Sequence, residues 1–405
     1  MEVNQTASTD FYFNPWDPDF RANPYPHYKP LYSCAPRKVE TFFPIALVAR
    51  YADVAAVLRD HQRFSSTQLE RPEFSDPSDP FSQGRLRTML FSDPPDHTRL
   101  RRLVSRDFTP RRIRELEPRI REIARELLDK AEARGDFDVM ADLANVLPVM
   151  VIAEMLGVPP EKYGTFKQWS DMIIAADNNL PGSPQPPELI HARQSLIDYF
   201  TEETERRRRN PGTDLVSALV AHHDAETLSA PELLGFVILL LLAGNETTTN
   251  LIGNGLHALA RNPAQLERLR KEPALMARAI EEMLRYDGPV QSTVRRTLER
   301  TDIGGTIVDP DTVMFILLAA ANRDPAQFDN PDRFEIARDP NDHVALGEGI
   351  HFCIGAPLAR LEGAIAIGAA LERFPRLRLA NPEAPLCYKG SFFLRGLSSL
   401  KMAID

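Results

Sequence analysis

The sequence predicts a mainly helical protein with a minor β part, organised as one large unit about a central helix. Three observations carry this expectation. After Pro231 no proline occurs until Asn262-Pro263, which leaves room for about 32 helical residues, or about 48 Å at 1.5 Å per residue. The first half of that stretch, LLGFVILLLLAG, is apolar on every face and must be buried all round. Beyond Pro289 the texture changes to short β-rich runs divided by turn residues.

Taken in order, residues 1 to 65 mix short apolar runs with turns, and FPIALVARY (Phe43 to Tyr51) reads as a strand entering a helix. Residues 66 to 95 read as a long irregular loop, a length usually reserved for function. From Asp96 almost to Arg261 the spacing is helical. Pro118 interrupts Arg111 to Arg134, giving two helices or one kinked one. Ser229-Ala-Pro-Glu232 fits a capping box that opens the long helix. VQSTVRRTLE, TDIGGTIV and TVMFILLA read as strands, and Pro357 to Phe374 as a last helix. The tail FFLRGLSSLKMAI reads as a hairpin. The expectation is one domain over 1–405. Residues 1–65, 289–312 and 386–405 supply the β part, and 96–285 and 343–375 the helical part.

Composition excludes several classes. With 48 basic and 57 acidic residues, the net charge of −9 argues against nucleic acid as the main partner. Three cysteines, Cys34, Cys353 and Cys387, cannot build a disulfide framework and suit a reducing cytoplasm. The purest apolar run, Leu233 to Ala243, is short for a bilayer, and no basic-then-apolar leader opens the chain, so no membrane anchor is expected. Gly253-Asn-Gly-Leu-His-Ala258 matches a dinucleotide fingerprint but lies inside a helix, not after a strand. His222-His223-Asp224 reads as a solvated loop.

Two segments carry chemistry. In Leu346-Gly-Glu-Gly-Ile-His-Phe-Cys-Ile-Gly355, the glycines permit a tight loop. Cys353 stands just before a helix, whose amides and dipole favour a thiolate. An inert buried cysteine is the bland alternative. In Ala243-Gly-Asn-Glu-Thr-Thr248, an acid and a hydroxyl interrupt an apolar helix, which costs free energy unless they have a partner or a task. The bland alternative has the hydroxyl bonded back to the carbonyl four residues earlier and Glu246 facing a solvent groove. Gly244 would let a flat group approach the backbone. A third segment, Glu282-Met-Leu-Arg285, places opposite charges on one helical face, a weak signal by itself.

Together these segments resemble the signatures of the cytochrome P450 superfamily, in the family's order and over essentially the whole chain. Gly349, His351, Cys353 and Gly355 match its haem-thiolate loop, and Leu346 stands where that signature has phenylalanine. The long helix resembles the oxygen-activation motif, and Glu282/Arg285 with Asn322 to Phe334 resemble the structural pair and its meander. The resemblance implies a P450-type fold with the long helix over haem b, ligated by Cys353. It implies that Ala243, Gly244, Leu346 and Gly355 flank the cofactor and that His97, Arg101, Arg295 and His351 bind its propionates. Thr247 would hydrogen-bond the oxygen being activated, and Glu246 would relay protons to it.

The function implied is a soluble bacterial-type monooxygenase, hydroxylating or epoxidising a hydrophobic small molecule. Electrons would come from a separate ferredoxin or flavodoxin, docked on Arg99, Arg102, Arg106, Arg111 and Arg112. Substrate would meet the 66–95 loop, the 168–190 region, and Leu239, Leu240, Ala243, Val290, Gln291, Thr293, Val294, Phe392 and Phe393. Two alternatives are a peroxide-driven peroxygenase and a non-enzymatic haem sensor.

Overall fold

The computed structural model describes residues 13–15, 17–33, 36–40, 44–67, 79–81, 86–105, 108–175, 185–224, 228–389 and 393–404. Its axis is the helix Ala230–Arg261, 32 residues long. Ser229 opens it with the expected capping box: its hydroxyl accepts from the Glu232 amide while the Glu232 carboxylate accepts from the Ser229 amide. Leu233, Phe236, Val237, Leu241, Ile252 and Leu259 on this helix are all buried. Around it pack the helices Leu147–Met155, Met276–Asp287 and Ala356–Arg373. By length and composition the helix would also cross a bilayer, but more than half of its apolar window lies inside the molecule.

The glycines of the fingerprint-like segment serve this packing. A Cβ at Gly255 would stand 2.7 Å from the Met283 sulfur, and one at Gly253 would collide with the Met140 sulfur. Met140 belongs to the π-helical turn Val139–Ala144, closed by the Asn145 amide on the Met140 carbonyl at 2.9 Å. Close backbone approach, and no nucleotide, is therefore the reason for the spacing.

The largest sheet of the β part has five strands, in the order Arg37–Glu40, Pro44–Val48, Val313–Ile316, Thr293–Thr297, Phe64–Ser65. Only the pairing of Pro44–Val48 with Val313–Ile316 is parallel. The strand Val313–Ile316 falls outside the expected 289–312 bound. It is nonetheless the strand that TVMFILLA predicts, and its apolar residues face both a helix and the N-terminal segment. The tail is also less simple than one hairpin. Residues 387–389 pair with 396–398 through the Tyr388–Leu397 bridge, whereas Lys401–Ala403 pairs with Phe137–Asp138 and Arg378–Leu379. The helix expected across Pro118 is divided at Leu116, into Pro110–Glu115 and Glu117–Arg134, with Pro118 in the first turn of the second. There its missing N–H costs nothing.

Candidate active site

The cysteine loop is held from three sides. The Cys353 amide donates to the Leu346 carbonyl at 2.9 Å, closing the loop on itself. Gly347 and Gly349 take φ of +73° and +66°, and a Cβ at Gly349 would meet the Leu58 carbonyl oxygen at 2.6 Å. Arg59 pairs with Glu348 at 2.7 Å and fixes the loop to the helix Tyr51–Arg59. Cys353 precedes the helix Ala356–Arg373, as expected. Burial pushes its thiol up; the Gly355 and Ala356 amides and the Arg101 and Arg360 guanidiniums pull it back without cancelling that burial. The resting thiol is therefore not activated by the helix terminus alone, and a cation at the sulfur is what would make it a thiolate.

The expected propionate residues come together beside this loop, from three separate elements. His97 and Arg101 lie one turn apart on the helix Asp96–Val104. His97 is 2% exposed and neither ring nitrogen has a partner. Its ring centroid lies 4.3 Å from that of His351. Arg101 donates to the Phe352 carbonyl at 2.6 Å. Arg295 is buried on the strand Thr293–Thr297, donating to its neighbour's carbonyl, while Arg296 turns outward to Asp311. Burial holds the Arg295 guanidinium down to about 10, and burial with the Arg295 and His97 charges holds His351 down to about 3. Burial followed by Arg101 lowers His97 as well. At neutral pH this cluster is two arginines and two neutral imidazoles.

One acid belongs to the cluster, and the sequence reading missed it. Asp93 accepts from the Ser65 hydroxyl, from the Ser66 amide at 2.9 Å and from the Thr67 hydroxyl at 3.1 Å, while its carbonyl accepts the His97 amide. Ser66 in turn places its hydroxyl 3.0 Å from His351 Nε2. Asp93 and Ser66 thus tie the sheet edge, the His97 helix and the His351 ring into one frame. Because the Asp93 carboxylate is taken up by three donors, the two arginines and the two unpartnered His97 nitrogens have no acid of their own. Two guanidiniums with no carboxylate of their own, beside a buried imidazole with no partner, fit a ligand carrying two carboxylates, as haem does. Ser66→Ala is expected to speed haem transfer from the holoprotein to apomyoglobin several-fold, with Ser66→Thr unaffected. Equal rates for Ser66→Ala and wild type would show that the frame does not depend on this bond.

On the long helix, Ala243 is exposed although its neighbours are largely buried. Gly244 is not what opens this face. A Cβ there would meet Ile152 at an ordinary 3.5 Å, on the side of the helix Leu147–Met155. The Thr247 hydroxyl donates to the Ala243 carbonyl at 2.7 Å, the back-bonded arrangement held open above. Glu246 does not face a solvent groove: its side chain is 4% exposed and pairs with Lys389 at 3.1 Å. Nothing local predicts this pair, because Lys389 lies 143 residues away on the C-terminal hairpin. The available signal was the buried acid itself, which demands a cation.

The expected substrate set is divided. Leu240 belongs to the helical core at 6% exposure. Gln291 is buried, donates to the Gly288 carbonyl, and lines a small cavity with Phe20 and Tyr28 of the N-terminal segment. Leu239, Val290, Thr293, Val294 and Phe393 are partly buried, and Phe392 lies outside the described residues. Of the docking arginines, Arg99 pairs with the buried Glu232 and with Asp96. Arg102, Arg111 and Arg112 are exposed, and Arg106 lies outside the described residues.

Comparison with known proteins agrees with this geometry. The family model for Cytochrome P450 matches residues 26–394. Cytochrome P450 107B1 of Saccharopolyspora erythraea is 42% identical over 369 residues, covering 87% of this chain and 88% of its own. The 6-deoxyerythronolide B hydroxylase of the same organism is 37% identical, covering 89% and 90%. Among solved structures, CYP109E1 from Bacillus megaterium in complex with testosterone superposes with a TM-score of 0.86 at 36% identity, covering 96% of this chain and 100% of that one.

Proposed function

The chain belongs to the cytochrome P450 family, a haem-thiolate monooxygenase with haem b as its cofactor, and on that premise we propose that it hydroxylates or epoxidises a large hydrophobic small molecule. When bound, haem supplies the redox chemistry, by which one atom of O2 enters the substrate and the other leaves as water. The observation that carries the assignment of residues is the acceptor-poor cluster beside Cys353. In this reading Cys353 ligates the iron, and Arg101, Arg295, His97 and His351 hold the propionates. Thr247 offers a hydroxyl one residue from a buried acid. Its present bond to the Ala243 carbonyl is a resting arrangement that a χ1 rotation releases. Glu246 then brings protons to that hydroxyl while the apolar flanks keep bulk water out. The relatives' names, a 6-deoxyerythronolide B hydroxylase and a vitamin D(3) 25-hydroxylase, support an apolar substrate of some size.

Thr247→Ala is expected to uncouple the enzyme: reductant and oxygen continue to be consumed, while product falls and hydrogen peroxide rises. Unchanged coupling would remove Thr247 from the proton path. Electrons come, in this proposal, from a ferredoxin or flavodoxin that meets exposed arginines near the Cys353 loop. Replacing Arg102, Arg111 and Arg112 together by glutamine should slow reduction by ferredoxin at low salt and lose its effect at high salt, as screened charges do. A salt-independent change, or none, would place the docking face elsewhere.

A further inference from the structure

Two adjacent acids on the helix Met276–Asp287 serve different segments. Glu282 takes Arg285 and Arg338. Glu281, about 100° round the helix from it, holds both ends of the cysteine loop. At the exit, Arg360 stands on the second turn of the helix Ala356–Arg373 and donates to both Glu281 oxygens, at 2.7 and 2.8 Å. At the entry, His343 Nδ1 accepts the Ala345 amide at 3.2 Å, which leaves the ring proton on Nε2, 3.2 Å from the Glu281 carboxylate. The next residue, Leu346, receives the Cys353 amide on its carbonyl. One carboxylate thus spans the loop from residue 343 to residue 360. Burial pushes Glu281 up, but the His343 and Arg360 bonds bring it down to about 2, so it stays ionised at neutral pH. Among the described residues it is the one acid that pairs with Arg360. The Arg360 charge in turn reaches the Cys353 sulfur. Arg101, the other cation that does so, is bonded to the Phe352 carbonyl.

We propose that Glu281 is a positioning residue for the iron ligand, on the reading of Cys353 given above: it clamps the two ends of the Cys353 loop and holds the Arg360 cation near the sulfur. Reduction of the bound haem adds negative charge at that site, so a cation held there favours the reduced form. Arg360 is 38% exposed and Glu281 30%. A pair this open contributes little to stability, so variants of it should fold. Without Glu281 the guanidinium turns to water, where its charge is screened, and the sulfur loses its cation. The entry of the loop loses the His343 tether in the same change.

Potentiometric titration of the holoenzyme, followed at the Soret band, tests the exit without turnover. At the wild-type midpoint potential, the ferrous-to-ferric ratio should fall several-fold in Arg360→Gln and stay near wild type in Arg360→Lys, which keeps the charge. Glu281→Gln separates two roles by sign. If the acid is a clamp, its loss lowers the ratio as Arg360→Gln does, although a negative charge has been removed. If it is only a charge near the haem, its loss raises the ratio. A raised ratio in Glu281→Gln, or an unchanged one in either glutamine variant, overturns the proposal. The entry is read on the reduced, carbon-monoxide-bound protein. On standing, its red-shifted Soret band should convert to an ordinary haem–CO band several-fold faster in Glu281→Gln and in His343→Leu than in wild type. Conversion at the wild-type rate in both would show that the loop's entry is not clamped. An ordinary band already in the fresh wild type would instead fail the reading of Cys353 as ligand, and the clamp would fall with it.

Discussion

Cys353→Ser is expected to abolish the strongly red-shifted Soret band of the dithionite-reduced, carbon-monoxide-bound protein. The wild type should show that band, because Cys353 would supply haem iron with an anionic sulfur that pushes electron density onto it. Serine keeps the side chain's size and the Leu346–Cys353 backbone bond, so the loop survives the change. What is lost is the soft, anionic ligand, and with it monooxygenase turnover. Cys387→Ser serves as the control, since Cys387 is exposed and lies on the hairpin. A red-shifted band that persists in Cys353→Ser would move the ligand elsewhere in the chain. An ordinary haem–CO band already in the wild type would mean that the thiol stays protonated beneath the iron. Burial favours the protonated thiol, and the iron's charge must overcome it.

The parts of this site written in contiguous residues were legible from the sequence. The cysteine loop, the acid–alcohol pair and the i, i+4 spacing of His97 and Arg101 each lie within ten residues, and local geometry puts them on one loop or one helical face. The long helix was legible to its capping box because its proline spacing and all-round apolarity leave no alternative. What was not legible depends on contacts between distant segments. Lys389 reaches Glu246 across 143 residues, and Ser66 reaches His351 across 285. A lysine on a hairpin and a serine after a strand carry no local sign of such tasks. Burial by itself does not sort Leu240 and Gln291 between core and pocket. Periodicity says which residues avoid water, but not which apolar neighbour, core or pocket, receives them. The strand Val313–Ile316 was legible in TVMFILLA although it is covered on both faces, and only the 289–312 bound stopped short of it.

Removing one side of the Glu282–Arg285 pair should cost the fold about 3–5 kcal/mol, the usual cost of leaving a buried charge alone. On the sequence this pair was an ordinary i, i+3 couple. In the structure both side chains are fully buried, at 0% exposure. Arg285 holds both Glu282 oxygens at 2.7 and 2.8 Å and also donates to the carbonyls of Asn322, Pro331 and Arg333. Glu282 accepts from the Glu335 amide and from Arg338 as well. Arg285→Ala therefore removes the side-chain donor from the Asn322 and Pro331 carbonyls and leaves the buried Glu282 with Arg338 as its one cation, and Glu282→Ala takes the acid from both Arg285 and Arg338. The segment they brace, 322–338, leads directly into the Cys353 loop, so both variants should lose haem along with stability. Glu117→Ala supplies the contrast. Its pair with Arg121 is equally short at 2.7 Å but 36% and 62% exposed, and pairs of that kind are worth about 0.3–0.5 kcal/mol. Urea unfolding followed by far-UV circular dichroism, with the Soret band read in parallel, separates the two cases. A large drop in midpoint for the Glu282 and Arg285 variants with almost none for Glu117→Ala is the expected pattern. Comparable small drops in all three would mean that water reaches the buried pair, and that the meander is held by its backbone bonds instead.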